Sequence, residues 1–241
     1  MRAISMWERV VLANLALFFI LGIILAIWNT PYYDVVYSVE DGVLEWLTFV
    51  ALGHTAIVSW WRFWSFSRQR QAQGVAQGQG SQPPIIFLVS LFCCGLLFTF
   101  GLGEEISWGQ RLFNITPGDF FEQHNLQGET NLHNLVVGDH KINKLIFGKG
   151  VALFFIIYLL ILTPLYWKES KLNPLMDACG VPIPKGYQWL AMLIILIGVE
   201  VVIKQFSDTG RRGELTEFSA AIVIMLVVIF PYNRRVFEVP R

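Results

Sequence analysis

The sequence predicts an all-α fold, a polytopic transmembrane helix bundle of about six spans with a partly helical outer loop. The 241-residue chain is 54% hydrophobic and only 15% charged, whereas charged residues make up about a quarter of an ordinary soluble domain. Several stretches approach the roughly 20 apolar residues that a helix needs to cross a bilayer core of about 30 Å. The Lys and Arg residues are also biased toward one set of connecting segments, as in membrane proteins with a defined orientation.

The predicted spans follow from the apolar stretches. They cover approximately residues 10–28, 44–66, 85–103, 151–167, 187–205 and 215–232. The first is predicted to be an uncleaved anchor, because it ends in AIWNTPYY and not in a small-residue cleavage site. The last is marginal, since its unbroken apolar core runs only from Phe218 to Phe230. We expect a single membrane domain over 1–241, with a flexible Gln/Gly-rich linker at 67–84 and an outer loop at 104–150.

The basic residues predict the orientation. With six spans, the segments on the side of the two termini hold most of the Lys and Arg, including Arg2, Arg68, Lys168 and Arg235. Because positively charged segments remain in the cytoplasm, we expect a multi-pass protein of the cell inner (plasma) membrane with both termini cytoplasmic. The formal net charge is +0, so nothing indicates nucleic acid as a partner. Membrane lipids are the expected partners, and the oligomeric state stays open.

The acidic residues gather on the opposite, outer side. Of the 18 Asp and Glu residues, all but Glu8, Glu169, Asp177 and Glu238 fall in outer segments or in the outer halves of spans. Of the 4 His residues, only His54 lies within a predicted span. Acidic residues contribute little to topology, and polar groups at membrane depth usually face a cavity or a partner. The sequence therefore predicts an outer-facing pocket of carboxylate and imidazole groups.

The string GLGEEISWGQR, residues 101 to 111, ends the third predicted span with two adjacent carboxylates, Glu104 and Glu105. Adjacent like charges share a site only when a cation meets them or when one of them is protonated. Glu104 and Arg111 would lie on one face if the helix continued for two more turns. Trp108 is either an interfacial belt residue or a wall that desolvates a neighbouring carboxyl.

Two short helices are predicted in the outer loop. A capping hydroxyl, a Pro and an acid in the first turn fit a helix start at Thr116, Pro117 and Asp119. This helix would stop at Gly128, and a second would run from about Thr130 to Val137. Their alternating apolar and polar groups are typical of segments that lie at a membrane interface.

The first functional hypothesis is a metal-dependent hydrolase or transferase that acts on a lipid or a lipid-linked substrate. Carboxylates and imidazoles bind zinc and similar divalent ions, and a catalytic metal keeps one position open for water. The candidate metal ligands are Glu105, His124, Glu129 and His133. The candidate catalytic residues are Glu45, Glu104, Glu105 and Arg111. A carboxylate would act as general base, and the guanidinium would hold an anionic headgroup.

The cofactor is not identified by these residues, because no diagnostic zinc spacing such as H-E-x-x-H is present. A divalent metal such as zinc is the candidate.

Two alternatives stay open. In the first, the protein is not catalytic, and its outer acids form a structural ion-pair network that fastens the helix ends, for example between Glu200 and Lys204 at i, i+4 spacing. In the second, the protein transports a cation or a proton, and Glu200 and His54 continue a relay into the membrane. The near-absence of polar groups from the inner halves of the spans argues against transport.

The strings GEEISWGQRLF and QGETNLHN, within residues 103 to 134, resemble a family of uncharacterised bacterial integral membrane proteins. The likeness covers a small fraction of the chain. It implies a prokaryotic membrane origin, and it implies no activity and no catalytic residue, since the family has no established activity.

Overall fold

The protein is mostly helical over the residues that its computed structural model describes, which are 4–75, 83–132, 135–137, 140–141 and 150–238. The helices are α1 (Met6–Trp28), α2 (Thr30–Tyr32), α3 (Val43–Val75), α4 (Ile85–Glu105), α5 (Gln110–Phe113), α6 (Asp119–His124), α7 (Val151–Ile156), α8 (Thr163–Trp167), α9 (Asn173–Ala178), α10 (Gly186–Ile197), α11 (Lys204–Phe206) and α12 (Arg212–Ile229). Two π-helical segments, Ile157–Leu162 and Gly198–Ile203, connect α7 to α8 and α10 to α11.

Among the described residues, four helical stretches are long and apolar enough to cross a membrane. They are Met6–Trp28, Val43–Ala72, Ile85–Glu105 and Gly186–Phe206. A further apolar helix, Leu153–Trp167, is shorter. These stretches coincide with predicted spans, so the prediction of an all-helical membrane protein is confirmed.

The segment predicted as a linker begins as a helix. Residues 67–75 belong to α3, which continues to Val75, and residues 76–82 lie outside the described part. The Gln-rich sequence here favours helix, because Gln and Arg have high helix propensity.

The outer loop differs from its prediction in two ways. Its first helix, α6, begins at Asp119 with Gly118 as the N-cap and ends at His124, before Gly128. The predicted second helix is wrong at both ends: residues 130–132 form a bend, and Val136–Val137 is a strand, β1, that pairs antiparallel with β2, His140–Lys141. Branching at Cβ favours the extended conformation of these valines.

The chain divides into two compact units, and the boundary lies within α3. The first unit contains Met1–Val58 and Pro184–Arg234. In it α1, α10 and α12 pack together, with Phe19, Leu215 and Leu226 buried between them. A Cβ at Gly22 would lie 2.8 Å from Leu215, and a Cβ at Gly198 would lie 2.8 Å from Phe19. The two glycines therefore permit the close approach of these helices.

A buried ion pair joins the beginnings of α1 and α10 in the first unit. Glu8, 1% exposed, accepts a hydrogen bond from the Lys185 Nζ at 2.6 Å and another from the Tyr187 hydroxyl. Glu8 also completes a capping box with Ser5 at the start of α1. The Glu8 carboxylate thus caps the start of α1 and binds it to the start of α10.

The second unit contains Ser59–Ile183 and Arg235–Arg241. The ring of Trp60 in α3 packs on Gly95 of α4, where a Cβ would lie 2.8 Å from the ring. Its indole nitrogen also donates to the Thr99 hydroxyl at 3.0 Å. One end of this helix pair is closed by an aromatic cluster of Phe66, Phe87 and Phe237.

Candidate functional site

The polypeptide turns sharply where α4 ends. Three consecutive residues, Ser107, Trp108 and Gly109, have φ values of 46°, 54° and 81°. The left-handed region is open to glycine, but it costs other residues about 1–2 kcal/mol each. The strain at Ser107 and Trp108 must therefore be offset by interactions around the turn.

Glu104 makes two of these interactions. It is 6% exposed, although it lies at the end of an apolar helix. Its Oε1 accepts the Trp108 indole N–H at 2.9 Å, and its Oε2 accepts the backbone N–H of Leu132 at 2.6 Å. The Trp108 ring also covers Gly103, where a Cβ would lie 2.8 Å from it. Glu104 thus fixes the strained residue and holds a distant part of the loop.

A second buried carboxylate, Glu129, holds the other strained residue. Glu129 is 9% exposed, and its Oε2 accepts the Ser107 hydroxyl at 2.9 Å and the Asn131 amide at 2.7 Å. The same Asn131 amide lies 3.0 Å from the Ser107 Oγ. Because both Ser107 and Asn131 are buried, this triangle is shielded from water.

Two amide side chains complete the arrangement. Asn125 donates to the carbonyl of Asn131 at 3.0 Å and accepts the backbone N–H of Glu129 at 3.1 Å. Gln110 donates to the Gly128 carbonyl at 3.2 Å and accepts the Thr130 N–H at 2.5 Å. Residues 104–110 and 125–132 therefore form one hydrogen-bonded structure, which we call the carboxylate cap.

The donors that meet the two carboxylates at these distances are an indole, a backbone amide, a hydroxyl and a carboxamide, all of them neutral. Hydrogen bonds to a charged group contribute about 1.5–3 kcal/mol each, more than bonds between neutral groups. Because the cap is buried, these bonds are electrostatically stronger than they would be in water.

Of the predicted site residues, Glu104 and Glu129 both belong to the carboxylate cap. Glu105 is the last residue of α4 and is half-buried; successive helical residues point about 100° apart, so it faces a different direction from Glu104. His124 lies in α6, where its Nδ1 is 2.9 Å from the Phe120 carbonyl and its ring stacks on Phe120. The turn after α4 removes the predicted common face of Glu104 and Arg111.

The remaining candidates belong to the first unit or lie outside the described part. His133 and the side chain of Arg111 are not among the described residues. Glu45 belongs to the first unit, where it lies in the first turn of α3 and accepts the backbone N–H of Asp41 at 2.5 Å. His54, a candidate for the relay, is exposed, and its Nδ1 lies 2.8 Å from the Val50 carbonyl of its own helix.

The described residues contain no group of three or more His, Cys, Asp and Glu side chains arranged to hold a metal ion. Because His133 lies outside them, the predicted set of four ligands stays a prediction.

Sequence reasoning missed the neutral members of the cap, Ser107, Gln110, Asn125 and Asn131. Their signal is the density of amides around Gly128 in the string QHNLQGETNLHN. Amide side chains next to a glycine commonly bond to the backbone of a turn. The sequence instead predicts two short helices, one that stops at Gly128 and one from about Thr130 to Val137.

Comparisons with known proteins give no match, since no family model, no curated protein and no solved structure is similar to this chain. The function is therefore argued from the geometry of the cap and from the apolar surface beside it.

Proposed function

We propose that this chain is a six-span protein of a prokaryotic inner membrane, with both termini cytoplasmic, whose carboxylate cap forms part of a site for a lipid or a lipid-linked substrate at the outer leaflet. The observation that carries the proposal is the run of strained residues, Ser107 to Gly109, held in place by Glu104 and Glu129. Strained backbone persists only where its surroundings impose it, and it clusters at functional sites.

The additional two spans would be the apolar helix Leu153–Trp167 and α12. At 1.5 Å per residue, the 18 residues of α12 extend about 27 Å, close to the thickness of a bilayer core. Reporter fusions in the segment 168–172, which is cytoplasmic with six spans and on the outer side with four, and after Glu238 test this topology. Both are expected on the cytoplasmic side, and opposite locations would contradict six spans.

A lipid is proposed as the substrate because exposed apolar side chains lie within and between the segments that form the cap. Leu112, Phe113, Ile115, Phe120 and Leu126 are all more than half exposed. They follow α4 in the sequence, and the end of this 21-residue span would lie at the interface of membrane and water. Exposed aromatic and aliphatic groups at that depth favour contact with acyl chains.

In the proposed mechanism, Glu104 stabilises the fold of the outer loop, and Glu105 takes part in the reaction. Glu105 would take part in a hydrolase or transferase reaction as a ligand of the catalytic metal, and Arg111 would hold an anionic headgroup. A divalent metal at Glu105, His124, Glu129 and His133 would supply a Lewis acid and a bound water.

The test of this function uses protein purified in lipid nanodiscs. Release or transfer of headgroups is measured on a panel of phospholipids and lipid-linked sugars, beside the metal content by elemental analysis. We expect Glu105→Gln to abolish turnover while its unfolding temperature stays that of the wild type. The matched control is Glu122→Gln, which removes an exposed carboxylate of α6. No turnover by the wild type on any lipid, with or without added zinc, would contradict the proposal.

A second candidate function is a purely structural one, and a specific observation favours it. The carboxylates of Glu104 and Glu129 accept hydrogen bonds from both the turn and the loop, as expected of groups that fasten a loop to a helix end. If this candidate is correct, Glu105→Gln and Glu104→Gln alter only stability.

A further inference from the structure

Glu200 is an exposed carboxylate inside a helical stretch that is apolar enough to cross a membrane, Gly186–Phe206. At 1.5 Å per residue it lies about 9 Å from the end at Phe206, within the last third of a span that crosses a bilayer core of about 30 Å. With the residues that the structure describes, it forms neither a hydrogen bond nor an ion pair. A charge at this depth is costly and normally has a partner.

The surface around Glu200 is an apolar stripe. Leu190, Ile194, Ile197 and Val201 recur every three or four residues, and each is at least 51% exposed. The opposite side of the helix is buried within the first unit, at Gln188, Met192, Ile195, Val199 and Ile203. The stripe and Glu200 therefore form one outward-facing surface, which we call the α10 face.

Lys204 supplies the complementary charge on this face. It is exposed one turn beyond Glu200, and no ion pair between the two is found within the described part of the chain, in contrast to the sequence prediction. The π-helical segment Gly198–Ile203 lies between α10 and Lys204, and π-helical turns often occur at functional positions. An acid and a base of the same surface, each without a partner among the described residues, are complementary to a second copy of that surface.

We propose that the α10 face is the interface of a homodimer, in which each Glu200 pairs with Lys204 of the other copy. Around a two-fold axis along the membrane normal, the same patch of both subunits meets, so that each contact occurs twice. The apolar stripes of the two copies would pack against each other along the axis. The two pairs of Glu200 with Lys204 would lie at the outer end of this interface. Pairing removes the cost of leaving Glu200 charged and alone in hydrocarbon.

A charge-exchange experiment tests the dimer. Full-length protein with donor and acceptor dyes is reconstituted in liposomes at a series of protein-to-lipid ratios, and the dissociation constant is measured by energy transfer. We expect Glu200→Lys and Lys204→Glu each to raise the dissociation constant about tenfold or more. The double variant restores both pairs, and its dissociation constant should return to within about threefold of the wild type. The control is Glu122→Lys, an equal charge change at an exposed position of α6, which should change nothing.

Cross-linking gives a second readout that does not depend on the charge variants. In a background with Cys93, Cys94 and Cys179 replaced by Ser, Val201→Cys should form a disulfide between copies in membranes. Leu97→Cys, equally exposed on α4, should not. A wild type that stays monomeric at every density would overturn the proposal. A double variant as weak as the single ones would also overturn it, and would indicate that a lipid amine or another protein binds Glu200.

Discussion

The Oε2 of Glu104 accepts the backbone N–H of Leu132 at 2.6 Å, across 28 residues of sequence. This bond connects the end of an apolar helix with the far side of a polar loop. The neighbouring indole of Trp108 occupies the other oxygen of the same carboxylate. Two adjacent acids can therefore follow the apolar part of α4, because Glu104 is buried among hydrogen-bond donors and Glu105 points away from it.

Replacing Glu104 with Gln should destabilise the protein by about 1–3 kcal/mol. A carboxamide has one oxygen and one NH₂ group, so it would direct a donor at either the Trp108 indole or the Leu132 amide. Unfolding in detergent measures the effect. The control Glu122→Gln changes an exposed side chain and should stay within about 0.5 kcal/mol of the wild type. Equal stability of the two variants would contradict a buried structural role for Glu104.

Gly109→Ala should destabilise the turn after α4 by about 1–2 kcal/mol. Gly109 has φ 81°, and a Cβ there would lie 3.0 Å from the Phe113 ring. Gly118→Ala is the matched control, because Gly118 has φ −70° and its Cβ would meet nothing within 4 Å. In the same measurement of unfolding, Gly109→Ala should therefore be less stable than Gly118→Ala.

The ion pair of Glu8 and Lys185 should show strong coupling in a double-mutant cycle. Removing one partner of a buried pair leaves a charge without compensation and costs about 3–5 kcal/mol, a value that is an upper limit here because the Lys185 side chain is 23% exposed. We expect Glu8→Gln and Lys185→Met to be destabilising singly and less than additive together. Additive effects would show that the pair contributes nothing. Lys171→Met, at an exposed position, is the control for loss of a lysine.

Gly95→Ala should weaken the packing of α3 on α4. The added methyl would lie 2.8 Å from the Trp60 ring, so the ring must move and would strain its bond to Thr99. Overpacking of this kind costs about 1–3 kcal/mol. A combination with Trp60→Phe should recover part of the loss, since the smaller ring leaves room for the methyl. No recovery would indicate that the ring is not the obstacle.

Much of the helical architecture could be predicted from the sequence. The six predicted spans all fall on helical segments, and four of them on stretches long enough to cross a membrane. The length of an apolar stretch is a strong signal, because a helix needs about 20 apolar residues to cross the bilayer core. Where a helix continues into polar sequence, as α3 does as far as Val75, hydropathy alone does not define its end.

The candidate site was less predictable. Glu104 and Glu129 were identified from residue type and side of the membrane, but their partners depend on a turn with three left-handed residues. The turn has no signature in the sequence, since it is held partly by contacts over 22 and 28 residues, those of Ser107 with Glu129 and of Glu104 with Leu132. Helical periodicity in 130–137 pointed to a helix, whereas Leu135 forms a β-bridge with Asn125. Local patterns cannot specify such long-range pairings.

Hydrogen exchange of the loop amides tests the carboxylate cap most directly. In wild-type protein in nanodiscs, mass spectrometry should find peptides that cover residues 125–132 protected, because the backbone amides of Glu129, Thr130 and Leu132 donate to cap side chains. Glu104→Gln should remove this protection, and Glu105→Gln should leave it intact. Loss of protection in both variants, or in neither, would contradict the account that Glu104, rather than Glu105, fastens the loop.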